Sequence, residues 1–235
     1  MKILKSILLL SFLLLPTLAL AAELSGIAVI LKTAGSVQHK ANKTEVWAAA
    51  QQGQVLSSGD ALRTLTGGEV AILFVDDKSL LKLAEETEIT IQASAEGRTV
   101  SKRIWMGAGD LWAKVTKQDN PHFQVETPTS VASVKGSVFY SQERPGTGNR
   151  LFAISGRYAY GNEFGQIELS GGSTGLSDGL KMPVSRSTRD DELPAFGGVN
   201  GYGQLDEDGE RVIRIGFQNE DDETRTLVIP LEQPE

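Results

Sequence analysis

The chain has 235 residues and a formal net charge of −7, contains no cysteine, and is 40% hydrophobic and 23% charged. This composition is typical of a globular protein and excludes an intrinsically disordered one. An acidic chain without a basic stripe lacks the electrostatic footprint of a nucleic-acid-binding protein, and the absence of cysteine leaves the hydrophobic core to hold the fold together.

The first 21 residues have the features of a secretory signal peptide. Lys2 and Lys5 give a positive start, and the apolar run of residues 7–15 is shorter than the ~20 residues that a spanning helix needs. Ala19 and Ala21 have the small-x-small pattern that precedes a cleavage site. We therefore predict an exported, periplasmic or secreted protein of a Gram-negative bacterium with no membrane span after signal cleavage; an uncleaved membrane anchor is the alternative.

Short runs in which apolar and polar residues alternate recur through the rest of the chain and predict an all-β fold. The first run, residues 27–31, places its odd-numbered members on one face of a strand. Three later runs, at residues 70–74, 81–83 and 89–91, are separated by tight polar turns. This spacing predicts a β-meander of three strands.

Residues 100–115 predict two strands joined by a turn at residues 107–110, where two glycines and an aspartate stand close together. Trp112 is predicted to face away from the apolar residues on either side of it, and Trp105 to lie on the neighbouring strand. Two tryptophans on adjacent strands would form an aromatic platform on which sugar rings stack. Packing in the core or at a sheet edge is the other interpretation, and it is the one that we favour.

The predicted organisation centres on residues 123–140, which read as a strand, a break and a second strand. Residues 123–126 alternate in the manner of a half-buried strand, and Pro128 cannot donate a ladder hydrogen bond. Gly136 interrupts the second run, as a glycine does where a strand bulges or another backbone comes close. We expect Gly136 to permit that approach and Lys135 to keep its charge at the surface, with a docking role for this pair as the alternative.

The C-terminal third changes in character along its length. Residues 158–169 predict a hairpin. Residues 173–209 are rich in Gly, Ser, Asp and Pro and predict a long surface segment, while residues 212–217 and 227–231 predict a terminal hairpin. The predicted organisation is a signal peptide (1–21), a β domain (22–182) and a loop-rich C-terminal extension with the terminal hairpin (183–235).

Several segments in a fixed order resemble the FecR domain family. The most recognisable is a Thr-Pro step, Thr127-Pro128, followed by a basic residue, a glycine and a hydroxyl residue, Lys135-Gly136-Ser137. The family more often has Arg at the position of Lys135 and a turn glycine at the position of Lys78. The resemblance covers residues 27–180. The segments that carry it are residues 59–64, 70–79, 109–112, 127–128, 134–139 and 156–165.

The resemblance implies a fold of stacked short antiparallel strands, a β-solenoid or sandwich-like FecR domain, and an interaction role in the cell envelope. Founding members of the family are membrane-spanning regulators that relay signals from outer-membrane receptors to an extracytoplasmic sigma factor. Because only a cleavable signal is predicted before the domain here, we do not expect the sigma-regulator mechanism to carry over.

Catalytic and metal-binding chemistry has little support in the sequence. His39 and His122 are the two histidines, and their spacing does not suit a zinc site. Residues 204–209 partly resemble a calcium-binding loop, but Gln204 occupies the first ligand position and Ile215 stands where the bidentate Glu belongs. We favour a solvated acidic turn over a calcium site, and we predict no enzymatic activity, no cofactor and no metal.

The function predicted from the sequence is that of a non-enzymatic binding or scaffold module in the bacterial envelope, acting through protein–protein contacts. The alternative is a module that binds cell-wall polysaccharide or exopolysaccharide. Open strand edges leave a homo-oligomer as a further alternative. The candidate interaction residues are Trp105, Trp112, Lys135 and Gly136.

Overall fold

The computed structural model describes residues 26–96, 99–117, 123–193, 199–205, 211–218 and 224–230. Apart from one short 3-10 helix, Asp190–Glu192, the regular elements in these ranges are strands, which confirms the all-β prediction. The strands are β1 (Ala28–Ala34), β2 (Val37–Lys40), β3 (Ala48–Ala49), β4 (Val55–Leu56), β5 (Ala61–Thr64), β6 (Glu69–Phe74), β7 (Leu80–Leu83), β8 (Glu88–Glu96), β9 (Thr99–Val115), β10 (Phe123–Glu126), β11 (Val131–Val134), β12 (Ser137–Arg144), β13 (Gly148–Ser155), β14 (Arg157–Asn162), β15 (Gly165–Ser170), β16 (Ser173–Ser177), β17 (Val184–Ser187), β18 (Val199–Leu205), β19 (Arg211–Gln218) and β20 (Thr224–Pro230).

Seventeen strands form one hydrogen-bonded system with two layers that share β9. The front sheet has the order β3-β2-β5-β8-β9-β10-β11-β14-β15, and its β9–β10 pair is parallel. The back sheet has the order β4-β1-β6-β7-β9-β12-β13-β16-β17. Aromatic rings meet edge-to-face between the layers: Phe74 of the back sheet lies 5.7 Å from Phe123 of the front sheet.

The long strand β9 passes from one sheet to the other. Its first part pairs with β8 in the front sheet, and its second part, from Gly109 onward, pairs with β12 in the back sheet. Gly109 has a φ of 116°, and a Cβ there would lie 2.3 Å from Thr87 Oγ1, so only glycine fits the crossing. The predicted turn at residues 107–110 is therefore wrong, because the glycines serve a change of sheet within a continuous strand.

The predicted meander is also wrong in one connection. β6 and β7 pair in the back sheet as expected, but β8 lies in the front sheet between β5 and β9. The predicted inward residues of these three strands are buried in the core between the sheets, as in Ile72, Leu81 and Ile89. In β1 the predicted phase is wrong, because Ile30 is buried whereas Leu31 is exposed.

The segment predicted to be a loop after residue 172 contains more strand than expected. β16 and β17 extend the back sheet, and β18 joins β19 and β20 in a separate three-stranded sheet. The predicted terminal hairpin is confirmed by the pairing of Ile213 with Ile229. Residues 206–210, the acidic part of the segment that partly resembles a calcium-binding loop, lie outside the described residues. The domain boundary at residue 182 stays a prediction.

A second apolar cluster lies on the outer face of the back sheet, and we call it the outer cluster. Leu193, just after the 3-10 helix, packs against this cluster. The side chain of Arg186 on β17 donates two hydrogen bonds to the Glu192 carboxylate, so an ion pair holds that segment close to the sheet. The outer cluster consists of Leu80, Trp112, Val138, Tyr140, Phe152 and Ile154, all buried.

Candidate functional site

The two candidate tryptophans do not form a platform. Trp105 and Trp112 lie on the same strand, β9, rather than on neighbouring strands, and they belong to the outer faces of different sheets. Trp105 is 41% exposed, whereas Trp112 is 0% exposed inside the outer cluster. A sugar ring could therefore stack on Trp105 but cannot reach Trp112.

The outer face of the front sheet around Trp105 is polar. Trp105 is paired in register with Glu126, and the Glu126 carboxylate accepts an ion-pair contact of 2.9 Å from Nε of Arg103. In the next row, the Gln124 amide donates a hydrogen bond of 3.1 Å to Ser133 Oγ. Trp105 is thus a single aromatic ring on a face whose polar side chains largely satisfy one another.

Gly136 stands where the chain passes from β11 in the front sheet to β12 in the back sheet. Its φ is 132°, and a Cβ would lie 2.4 Å from Cα of Lys117. The close backbone approach expected from the sequence is therefore present, and it requires glycine. Lys135 is exposed and lines a surface groove of about 350 Å³ together with Arg157 and Glu168.

The histidine within the described residues has a structural position. The imidazole of His39 is 2.9 Å from the Asp60 carboxylate through Nε2, and its Nδ1 is 2.8 Å from the amide nitrogen of Gln54. Asp60 also accepts backbone N–H bonds from Asn42 and Ser57. This network ties three loops around the family's Gly-Asp turn. The other histidine, His122, lies outside the described residues.

The buried side chain of Lys102 holds in place another of the segments that carry the family resemblance. Its Nζ lies 2.7 Å from carboxylate oxygens of both Asp76 and Asp77, so the charge that the core encloses is paired. The same turn holds Lys78 at a φ of 62°, which explains why a glycine suits this position in the family. The Asp-Asp-Lys-Ser turn is therefore a structural element.

The described ranges contain neither a cluster of metal ligands nor a membrane-spanning helix. Within them, no three His, Cys, Asp or Glu side chains gather into a group that could hold a metal ion. No helix among the described residues has the length and apolar character that crossing a bilayer requires.

A surface that the sequence did not single out lies at one end of the sandwich, where four large apolar side chains point to solvent. We call this set the apolar end. Leu180 is 80% exposed, Val184 54%, Phe164 52% and Met182 49%. Leu180, Met182 and Val184 alternate with polar or proline positions as in a half-buried strand, and Phe164 stands in a separate hairpin turn, so the sequence pattern does not indicate one exposed set. Exposed apolar groups of this size mark interaction surfaces when they lie together.

Hydrogen bonds hold the two segments of the apolar end together. Nδ2 of Asn162, in the β14–β15 hairpin, donates to the backbone oxygen of Lys181 at 2.7 Å and to Ser177 Oγ at 3.0 Å. The Met182 side chain lies within 3.5 Å of the position that a Cβ at Gly165 would take. The hairpin tip and the β16–β17 loop are thus joined.

The loop itself is fixed by the Asp178 carboxylate. Its Oδ1 accepts the backbone N–H of Leu180 at 2.9 Å, and Lys181 Nζ lies 3.3 Å from Oδ2. The hydrogen bond from Leu180, followed by those from Lys181, lowers the pKa of Asp178 below its ordinary value. The apolar end is therefore presented on an ordered turn, which reduces the entropy lost when a partner binds.

Comparison with known proteins identifies the region that contains most of these features. The FecR protein family matches residues 60–157. That range contains Asp60 but not the hydrogen-bond partners of its carboxylate, and it contains the ion pairs of Lys102, both sheet crossings, Trp105 and Lys135. No curated protein matches the chain.

Two solved structures of a candidate anti-sigma factor from Parabacteroides distasonis ATCC 8503, at 1.65 and 2.50 Å resolution, are similar to this chain. Each is 12% identical, with TM-scores of 0.46 and 0.47, and the match covers 54% of this chain and 59% of the solved chain. This chain therefore spans less than two thirds of the length of those proteins. Residues 60–157, fewer than half of the chain, are thus similar to the FecR protein family.

Proposed function

We propose that this chain is an exported, non-enzymatic binding or scaffold module of the bacterial envelope, which contacts another protein through its apolar end. The observation that carries the proposal is the exposure of Leu180, Val184, Phe164 and Met182 on one ordered end of the sandwich. An apolar surface on a rigid scaffold gains free energy when a partner removes it from water.

Two features support placing this role in the envelope, and two others support a binding role. FecR domains are typical of periplasmic and membrane-associated proteins, and the sequence of residues 1–21 predicts a secretory signal. A regulatory or signalling interaction fits the same family. The histidine and lysine networks around Asp60 and Lys102 are occupied with structural hydrogen bonds, which favours a binding role over an enzymatic one.

The polysaccharide alternative is less well supported. It required Trp105 and Trp112 to share a face, and the second of these is enclosed in the outer cluster. A single exposed tryptophan offers one stacking position rather than a platform. Protein contact is therefore the function that we favour, and polysaccharide binding becomes an outcome of the tests.

The first test is capture from a native envelope extract with the purified protein immobilised. We expect one protein to be retained by the wild type and lost with the double variant Leu180→Ser/Met182→Ser. The matched control is Val46→Ser/Val55→Ser, which removes two comparably exposed apolar side chains elsewhere on the surface. Retention that both variants preserve, or that both abolish, would contradict a specific role for the apolar end.

The polysaccharide alternative is tested by co-sedimentation of the protein with insoluble peptidoglycan at increasing salt. Attraction between charges weakens as salt rises, whereas apolar stacking does not. We expect no salt-resistant sedimentation. Salt-resistant sedimentation that Trp105→Ala abolishes would move the function to the polysaccharide class.

A further inference from the structure

The groove beside Lys135 has an arrangement of charge that the fold does not need. β11 and β14 are antiparallel neighbours, with Val134 in register with Tyr158. The next position along this pair therefore places Lys135 beside Arg157. Like charges at adjacent cross-strand positions destabilise a sheet, so this pairing calls for a compensating negative group.

The protein supplies that negative group only weakly. Glu168 lies 4.0 Å from Nε of Arg157, and both side chains are largely exposed, so the contact contributes little in water. Lys135 forms no ion pair with any residue in the described part of the chain. A local excess of positive charge thus remains on a chain whose net charge is −7.

The positions of the two cations are fixed by the backbone on which they stand. Lys135 precedes Gly136, whose conformation and close contact with Lys117 allow no other residue. Arg157 follows Gly156, which has a φ of 89° and where a Cβ would lie 2.1 Å from Ser137 Oγ. The backbone that carries both side chains is therefore constrained before a ligand binds, so little backbone freedom is lost on binding.

The remaining lining suits a small polar group. Ser133 and Gln166 provide hydrogen-bonding side chains, and Ala159 provides a small apolar one. The volume of about 350 Å³ admits a side chain or a short peptide segment. Glu168 and the negative net charge of the protein oppose a doubly charged group more than a singly charged one, because repulsion scales with charge.

We propose that the groove between Lys135 and Arg157 binds a carboxylate of an acidic segment in a protein partner. Arg157 donates parallel N–H bonds to the carboxylate, the fork geometry that an arginine offers, and Lys135 adds a second positive charge. The choice of a protein as the source of the carboxylate rests on the proposed function. The groove itself is separate from the apolar end.

The test is a titration of the ¹⁵N-labelled protein with the capped peptide acetyl-Gly-Glu-Gly-Glu-Gly-amide, followed by NMR. We expect saturable shifts at residues 133–135, 157–159 and 166–168 that weaken as salt is raised. Lys135→Gln/Arg157→Gln should weaken binding by about tenfold or more, since two charge-assisted contacts are lost. Lys32→Gln/Arg150→Gln removes the same charge from other exposed positions and should leave the affinity unchanged.

Two further probes give the outcomes that would overturn the inference. Equal shifts with the corresponding Gln peptide would show that the carboxylate is not recognised, and tighter binding of inorganic phosphate would assign the groove to a different anion. Shifts that persist in Lys135→Gln/Arg157→Gln would place binding elsewhere. A negative titration would not change the expected result of the capture experiment on the apolar end. The two proposals can therefore be refuted independently.

Discussion

The outer cluster and the apolar end are two sets of large apolar side chains that lie outside the main core, and they differ in their exposure to solvent. The outer cluster is buried, and Leu193 from the chain's own later segment packs on it. The apolar end, from Phe164 to Val184, faces solvent although its turns are fixed by hydrogen bonds. The contrast indicates that the first set stabilises the fold, whereas the second is available to a partner.

The largest expected effect on stability comes from the outer cluster. Trp112→Ala removes a fully buried indole and should lower the free energy of unfolding by about 3–5 kcal/mol. Trp105→Ala, on the same strand but exposed, should lower it by less than about 1 kcal/mol. Urea unfolding followed by circular dichroism measures both. Equal losses for the two variants would show that the outer cluster does not contribute to stability as described.

Lys82 should give the next largest effect, because it places a charge beside the outer cluster. It is paired across the strands with Trp112, and burial, opposed by the charge of Glu69, lowers its pKa to about 8. Between about pH 8 and the unfolded value near 10.4, the unfolded chain binds more protons, so stability rises with pH in this window.

Lys82→Met should therefore stabilise the protein at pH 7 by roughly 1–3 kcal/mol, since a tenfold change in proton affinity is worth about 1.4 kcal/mol. The same variant should remove the rise between pH 8 and pH 10. Melting temperatures across this range check both effects. Lys43→Met, an exposed lysine, is the matched control; a rise that survives in Lys82→Met would assign the pH dependence to another group.

A smaller effect is expected in acid, where the segment that packs on the outer cluster should loosen. The hydrogen bonds from Arg186, followed by that from the Arg189 N–H, lower the pKa of Glu192 to about 2. The depressed pKa stabilises the folded state above the ordinary glutamate value near 4.3, and this contribution is lost as pH falls toward 2.

Fluorescence of Trp112 in a Trp47→Phe/Trp105→Phe background reports on this segment. We expect the emission to shift to longer wavelength between about pH 4 and pH 2, and Glu192→Gln to show the shifted emission already at pH 7. An emission that is identical in Glu192→Gln and its parent at pH 7 would mean that the ion pair does not hold the segment in place.

The smallest effect on stability is expected at the apolar end. Leu180→Ser/Met182→Ser removes side chains that are already in water, so the free energy of unfolding should change by less than about 0.5 kcal/mol. Urea unfolding is the measurement. A loss of several kcal/mol would mean that these side chains pack against the protein itself, and the contrast with the outer cluster would disappear.

The sequence predicts the strands and their inward faces well where alternation is regular. Ile72 and Phe123 are buried as expected, because alternation in a half-buried strand is a direct consequence of burial. The phase of β1 is not predicted, since apolar residues occupy both of its faces. The glycine-rich stretch around Gly109 is also ambiguous, because a glycine with a positive φ suits a turn and a sheet crossing equally.

The candidate site is predicted less completely than the fold. The role of Gly136 follows from local chemistry and agrees with its close contact to Lys117. Trp112 is buried in a cluster with residues distant in sequence, such as Phe152 and Ile154, and the apolar end depends on contact between a hairpin tip and a separate loop. Contacts between residues that are distant in sequence leave no local sequence pattern. Surfaces of this kind can therefore be identified only in the folded structure.

The most direct test of the central claim is site-specific photo-crosslinking in the native envelope, with a photoreactive amino acid at position 180 and, as the control, at the comparably exposed position 46. We predict a discrete adduct with one protein at position 180 and none at position 46. An adduct of the same kind at both positions, or no adduct at position 180, would contradict the proposal that the apolar end is the surface for a protein partner.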